Sequence, residues 1–286
     1  MHIFRLYRLR DMYFVNLSRI GEKMINILFA GNRKVFDGMM ISSLSIVKHT
    51  KCPINVFCMT MTLTELNEKF VPISNEQSKY LEKIYKDVNE KSTFTLLDMT
   101  DLFKREMINS VNIKSHFTPY AMLRLFADML DSIPDKIIYL DTDTIINNDL
   151  QQLYDIDVEN YEIGCVRDVY RISRTYFNTG VLLLNIKKIK ETGLFAKARE
   201  MCLNKKMLYT DQAALNKCST KKLILPLKFN AKDKYFKEIV VHHFCNVRKR
   251  FFHRIKPWEV ELVKEKMNAY DDILDEYIER KAKLNT

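Results

Sequence analysis

The run Lys136-Ile137-Ile138-Tyr139-Leu140 is nearly all apolar and is followed at once by Asp141-Thr142-Asp143. A strand with one face in water alternates polar and apolar residues. A short continuous apolar run reads instead as a strand buried on both faces, the condition of a sheet covered by helices on either side. The two carboxylates then fall where that strand ends, at the carboxyl edge of the sheet, which is where open α/β sheets bind their ligands.

The flanking sequence supplies the rest of such a sheet. Ile25 to Ala30 reads as a first strand, Gly31 to Lys34 as a loop, Met39 to His49 as a helix and Pro53 to Cys58 as a second strand, the βαβ rhythm of a sheet with parallel members. Residues 76–90 read as helix and Thr93 to Leu97 as strand, and apolar spacing near three and four predicts a helix over Tyr120 to Leu130. Glu162 to Val166, Val181 to Asn185 and Glu238 to His242 are later strands, and a terminal helix starts at Val260. In a chain of 286 residues, 47% hydrophobic and 29% charged residues with only six Gly and six Pro exclude disorder and collagen-like repeats. No window reaches the roughly 18 apolar residues of a membrane span, and the amino terminus lacks the apolar core of a signal peptide, so a cytoplasmic chain is expected. Six scattered cysteines without a CxxC pair read as reduced thiols.

While the backbone stays extended, residues i and i+2 point to one side, so Asp141 and Asp143 can reach one cation. A lone Asp at such a place commonly caps a turn. Two adjacent anions repel unless something cationic joins them. Haloacid-dehalogenase-type phosphatases use a strand-end DxD, but they also need a second acidic pair after another strand, and Asp271-Asp272 falls in the predicted terminal helix. Nucleotide-sugar transferases use the pair to hold a divalent cation against the donor diphosphate, where a metal and a lysine stabilise the charge of the leaving group. Twelve Lys and Arg lie between Lys217 and Lys256 against Asp233 and Glu238, a surplus equal to the net +10 of the whole chain. An anion is expected to meet the protein there, although a solvated lysine-rich face is the plainer reading. A non-catalytic module gripping nucleic acid through that stretch would bind with steep salt dependence and no metal, and it leaves the ordered motifs unexplained, so no nucleic acid is expected.

Several stretches fit one family in order: Tyr120 to Leu125, Tyr139-Leu140-Asp141-Thr142-Asp143, Phe177-Asn178-Thr179-Gly180 running on to Asn185, Asp211-Gln212, Leu225 to Asn230, His243-Phe244-Cys245 and Lys256-Pro257-Trp258. Over about residues 25–258 the chain resembles the family-eight glycosyltransferases, the retaining group of lipooligosaccharide galactosyltransferases and glycogenin. The resemblance implies a single GT-A-type α/β domain, a Rossmann-like mixed sheet flanked by helices with a helical carboxyl terminus. It implies transfer of glucose or galactose from a UDP-sugar to an acceptor glycan or glycolipid with retained configuration. Asp141, Asp143 and His243 would ligate Mn²⁺ or Mg²⁺, a donor set of two carboxylates and an imidazole that suits manganese. Lys256 would contact the diphosphate as a point cation. Ala30, Asn32, Thr142, Asn178 and Gly180 would line the donor, with Gly180 allowing a close approach of backbone. Arg124, Asp211 and Gln212 would act on the donor and its sugar, Gln212 near the reacting face. The family has no agreed enzymatic nucleophile, and front-face attack with the leaving phosphate as base is the usual explanation.

Two departures stand out. The family often carries Asp, Asn and Tyr after the first strand; here the stretch is Ala30 to Val35, and Val35 takes the place of the stacking tyrosine. The family's H-x-x-G-x-x-K-P-W has five residues between His and Lys, whereas twelve separate His243 from Lys256. The longer connection, residues 246–255, carries Arg248, Lys249, Arg250 and Arg254 with Phe251 and Phe252. It reads as a lid, as a contact to an anionic membrane surface that would place the enzyme peripherally, or as a loop packed on the terminal helix. Residues 1–24 are a basic arm or a dispensable leader, residues 25–258 the catalytic domain and residues 259–286 the carboxyl-terminal helix.

Overall fold

A computed structural model describes residues 23–115, 118–168, 175–232, 235–245, 248–250 and 253–284. Residues 1–22 of the amino-terminal arm and residues 246, 247, 251 and 252 of the 246–255 loop therefore lie outside the described residues. In chain order the elements are β1 (Ile25–Ala30), α1 (Phe36–His49), β2 (Ile54–Thr60), α2 (Asn75–Lys86), β3 (Thr93–Asp98), α3 (Thr100–Met107), a 3-10 helix (Pro119–Met129), β4 (Lys136–Leu140), β5 (Thr144–Ile146), α4 (Gln151–Tyr154), β6 (Ile163–Arg167), β7 (Phe177–Asn185), α5 (Ile186–Thr192), α6 (Leu194–Asn204), α7 (Thr210–Cys218), β8 (Lys222–Leu225), β9 (Val241–His243), β10 (Arg248–Arg250), β11 (His253–Arg254), α8 (Val260–Lys266) and α9 (Asp271–Leu284).

Seven strands form one mixed sheet in the order β3-β2-β1-β4-β7-β6-β8, with β7 antiparallel to its neighbours β4 and β6. Side chains alternate across it. Ile138 and Leu140 of β4 join the cluster beneath α1, α2 and α9, whereas Ile137 and Tyr139 join the cluster beneath the 3-10 helix and α6. The apolar run is thus buried on both faces because helices cover both faces. This is the mixed sheet flanked by helices that the sequence predicts.

Several boundaries differ from expectation in ways that bear on the cleft. The segment over Tyr120 to Leu130 is a 3-10 helix, not an α-helix. Its period of three aligns Thr118, Ala121 and Arg124 in one row along the cleft wall. β7 starts at Phe177, so Asn178 and Gly180 sit inside the strand and not ahead of it. The terminal helix is two helices broken by a 3-10 turn at Asn268–Tyr270, which turns Tyr270 fully inward. The strand expected over Glu238 to His242 is the shorter β9, and it pairs with β5 in a separate two-stranded sheet.

Candidate active site

The carboxyl ends of β1 and β4, with the amino end of the antiparallel β7 at Asn178 and Thr179, open into a cleft of about 950 Å³. After Leu140 the chain turns, so the two acids do not share a side through extended backbone. They converge because Thr144, the first residue of β5, pairs with His243 of β9. The amide of Phe244 also donates to the Asp143 carbonyl at 2.8 Å. One ligand atom from each of Asp141, Asp143 and His243 lies within 4.8 Å of the others. His243 Nε2 is 3.2 Å from Asp143 Oδ1 and 3.5 Å from Asp141 Oδ2.

The polarity of this cluster follows from one backbone amide. Gly180 N–H donates to Asn178 Oδ1 at 3.0 Å, so that atom must be the acceptor. Asn230 Nδ2 then donates to the same oxygen, also at 3.0 Å, which leaves Asn230 Oδ1 to accept from His243 Nδ1–H at 3.1 Å. The Nε2 face of the ring is directed at the two carboxylates. The three residues therefore fit a cation, and an imidazole held by an amide at its other nitrogen is the usual support of a metal ligand. Gly180 is required here for a reason the sequence reading missed. A Cβ at that position would fall inside His243 and lie 2.5 Å from its Nδ1 and 2.8 Å from Asp141 Oδ2.

Positive charge gathers at the same point. Burial alone would raise the Asp143 carboxyl, but His243 and Lys256 outweigh it and hold the group well below the ordinary carboxylate range. Burial opposes a charge on His243, yet Cys245 and Asp143 push the imidazolium up to about 10. Lys256 Nζ pairs with Asp143 Oδ2 and lies 6.0 Å from the Trp258 ring. Gly38 in α1 admits that corner, since a Cβ there would strike the Thr142 carbonyl and sit 2.6 Å from Trp258.

Deeper in the cleft, Arg124 is 4% exposed. Its NH2 lies 3.1 Å from Asp141 Oδ1, its Nε 3.2 Å from Asp211 Oδ2, and its NH1 donates to the Thr179 carbonyl. The guanidinium stacks 4.0 Å from the Tyr139 ring centroid, and the Tyr139 hydroxyl donates to Asp141 at 2.8 Å. Burial pushes the Asp211 carboxyl up despite Arg124. Asp211 Oδ2 is buried without a hydrogen bond. The residue before it, Thr210, has φ +27°, an unfavourable conformation for a β-branched residue that is tolerated where the surrounding structure fixes it. That kink starts α7 and turns Asp211 and Gln212 into the cleft.

The profile of "Glycosyl transferase family 8" matches residues 26–259. The chain belongs to that family. Over 261 residues it is 28% identical to a putative glycosyltransferase of Haemophilus influenzae, covering 82% of this chain and 74% of the relative. It spans only 29% and 54% of the length of two further curated relatives. Among solved structures it resembles the apo bifunctional glycosyltransferase WbbM, with TM-score 0.68 and 17% identity over 92% of this chain and 53% of that one. It also resembles the galactosyltransferase LgtC in complex with donor and acceptor sugar analogues, with TM-score 0.62 and 17% identity over 88% of this chain and 96% of that one.

In this family-8 chain Ala30, Asn32, Arg124, Asp141, Thr142, Asp143, Asn178, Asp211, Gln212, His243 and Lys256 all line one cleft, while Gly180 lies directly behind the acidic cluster. Asn32 spends its side-chain oxygen on the Lys34 amide at 3.1 Å, capping the turn into α1. Asn178 donates to Gln212 Oε1 at 3.1 Å, which ties Gln212 to the amide chain behind His243. Sequence reasoning missed Asp168 and Lys232, which form a buried ion pair of 2.9 Å in the cleft wall. A signal existed. Asp168 follows the last residue of β6 as Asp141 follows the last residue of β4, and the two strands end on the same sheet edge. Of the 246–255 loop, β10 and β11 form an antiparallel pair, and Arg254 reaches the cleft. Phe251 and Phe252, invoked for a membrane contact, lie outside the described residues. Among the described residues no helix is long and apolar enough to cross a membrane. Asp271 and Asp272, the pair a phosphatase would need, start α9 and do not line the cleft.

Proposed function

We propose that this family-8 enzyme transfers a hexose, glucose or galactose, from a UDP-sugar to an acceptor glycan or glycolipid with retained anomeric configuration. The observation that carries the reading is the convergence of Asp141, Asp143 and His243 on one point of the cleft, with Lys256 beside it. These three residues would hold Mn²⁺ or Mg²⁺, which supplies positive charge to the donor diphosphate. To serve as a ligand His243 would lose its Nε2 proton to solvent, and Lys256 would turn its ammonium from Asp143 to the β-phosphate, where charge develops as the glycosidic bond breaks. Ala30 and Asn32 hold the nucleoside along the β1–α1 turn, with Thr142 at the diphosphate.

Asp211 Oδ2, ion-paired with Arg124 but without a hydrogen bond, accepts a sugar hydroxyl, and Gln212 and Asn178 fix the ring against its reacting face. Arg124 bridges Asp141 and Asp211 and holds the two side chains beside one another. The acceptor hydroxyl attacks from the side the diphosphate leaves and gives its proton to the departing phosphate. The β10–β11 hairpin, with Arg254 on the cleft rim, closes over the donor and meets the anionic surface on which a lipid-linked acceptor resides. A screen of Mn²⁺-dependent donor hydrolysis across nucleotide sugars tests the reading. Hydrolysis of one UDP-hexose, abolished by chelator and by Asp143→Ala, is the expected result; hydrolysis of none, with or without acceptor glycans, would overturn it.

A further inference from the structure

β5 and β9 hold three residues each, and among the described residues they pair only with one another apart from an isolated bridge between Ala231 and His242. A two-stranded sheet this short has little stability of its own in water. Yet its register delivers His243 to the acidic pair. Something behind it must hold β9 in place, and the side chains that flank His243 show what does.

His242 and Phe244 both point away from the cleft into a ring cluster closed by Tyr270, the last residue of the 3-10 turn between α8 and α9. His242 Nδ1 and the Tyr270 hydroxyl are hydrogen-bonded at 2.5 Å. Ring centroids are 4.8 Å apart for His242 and Phe244, 5.6 Å for His242 and Tyr270, and 6.0 Å for Phe244 and Tyr270. All three side chains are fully buried. Tyr270 is held in turn. On α9, Lys281 pairs with Asp37 of α1 at 2.8 Å and Asp272 with Lys48 at 3.1 Å, while Ile273, Leu274 and Tyr277 are buried in the cluster that α1 shares. α1 is also the helix whose Gly38 abuts Thr142. One rigid path therefore runs from α9 to both sides of the acidic cluster.

We infer that Tyr270 is a positioning residue: by gripping His242 and Phe244 it fixes β9, and through β9 it sets His243 against Asp141 and Asp143. The consequence for metal uptake rests on the reading of those three residues as cation ligands. The carboxyl-terminal helices then serve the active site and do more than cover the sheet.

The test uses the full chain with Tyr270→Ala and Tyr270→Phe, the second keeping the ring while removing the hydroxyl. Amide hydrogen exchange over residues 241–245 is compared with exchange over β1 and β4, and Mn²⁺ affinity is measured by calorimetry at a temperature where circular dichroism shows each variant folded. Tyr270→Ala is expected to accelerate exchange at 241–245 selectively and to weaken Mn²⁺ binding about 10- to 100-fold, the range for lost support of a metal ligand. Tyr270→Phe should show a smaller effect of the same kind. A lowered melting temperature with unchanged Mn²⁺ affinity, or faster exchange spread evenly over the sheet, overturns the inference. If Tyr270→Ala does not fold, Tyr270→Phe decides by the same criteria. Wild-type protein that takes up no Mn²⁺ overturns the metal reading itself, and the exchange comparison separates that failure from a failure of the clamp.

Discussion

The two ends of the cleft are built to different tolerances. At the acidic end Asp143 and His243 are 9% and 2% exposed; Asp143 is held by buried His243 and half-buried Lys256, and His243 by Asp143 and buried Asn230. At the β1–α1 end Arg33 and Lys34 are exposed, and Val35 and Phe70 are half-buried. One end is a close-packed interior that happens to face a ligand; the other is a surface turn. Buried polar groups in a connected network lose far more when one partner is disturbed than exposed groups do. Substitutions at the acidic end should therefore act on chemistry and at the turn end on affinity.

Matched glycine substitutions give the sharpest test. Gly180→Ala drives a methyl into His243, which Asn230 and β9 hold in place, so nothing can yield. Transfer should fall by more than about 100-fold with loss of Mn²⁺ uptake. Gly31→Ala presses only on a methyl of Val35, a half-buried side chain that can turn away. Its effect should stay within several-fold. Equal losses, read by donor hydrolysis and calorimetry, would break the comparison.

Asp143→Ala removes the proposed cation ligand that touches His243 and Lys256. Donor hydrolysis should fall about 10²- to 10³-fold with an unchanged circular dichroism spectrum. Lys256→Ala should lower the rate at saturating donor by a smaller factor, about tenfold, because on the proposed reading Lys256 would bring one half-exposed charge to the leaving group. Full activity in either variant would remove that residue from the diphosphate site.

Glu162 lies outside both ends and separates folding from chemistry. Its carboxylate accepts from Ser219 Oγ at 3.0 Å and from the Thr220 and Lys221 amides at 2.9 Å each, fastening α7 and β8 to β6. Burial raises its pKa, but these hydrogen bonds outweigh burial and leave it lowered. A carboxyl lowered in the folded state adds stability that is present above its unfolded value near 4.3 and is lost as pH falls through the folded value. Glu162→Gln should therefore destabilise the protein by about 1–3 kcal/mol at neutral pH, and the gap in melting temperature from wild type should close on acidification below about pH 4. A gap independent of pH would show that the carboxylate charge is not what matters.

The two ends also differ in how much of them the sequence discloses. β1 and β4 were legible to the residue because an apolar run bounded by polar residues has one local solution. The acidic pair was legible for the same reason, being fixed to the end of such a run. The way it converges was not. It depends on a three-residue pairing of Thr144 with His243, between segments far apart in the chain and too short to carry a period. The partners that make the site work, Asn230 behind His243, Tyr139 beneath Arg124 and Asp168 against Lys232, are ordinary polar residues until the fold brings them together. The 3-10 geometry of Pro119–Met129 escaped because spacings of three and four serve either helix over a few turns.

The smallest expected effect lies at the turn end, where a gain can be sought. Val35 half-fills a cleft wall that also holds Phe70 and Thr118, and the Asn32 side-chain oxygen is already committed to the Lys34 amide. A nucleobase held there would find no aromatic face at position 35. Val35→Tyr supplies one, and stacking of a base on an aromatic ring is worth about 1 kcal/mol or more, roughly a five-fold gain in affinity. The gain should appear in UDP binding and be absent for pyrophosphate with Mn²⁺, which engages only the acidic end, and kcat should stay near wild type. Calorimetry with both ligands decides. Tightening of UDP and pyrophosphate alike would mean that the two ends are coupled through α1, which carries Gly38 against Thr142, and that the turn end is less independent than its exposure suggests.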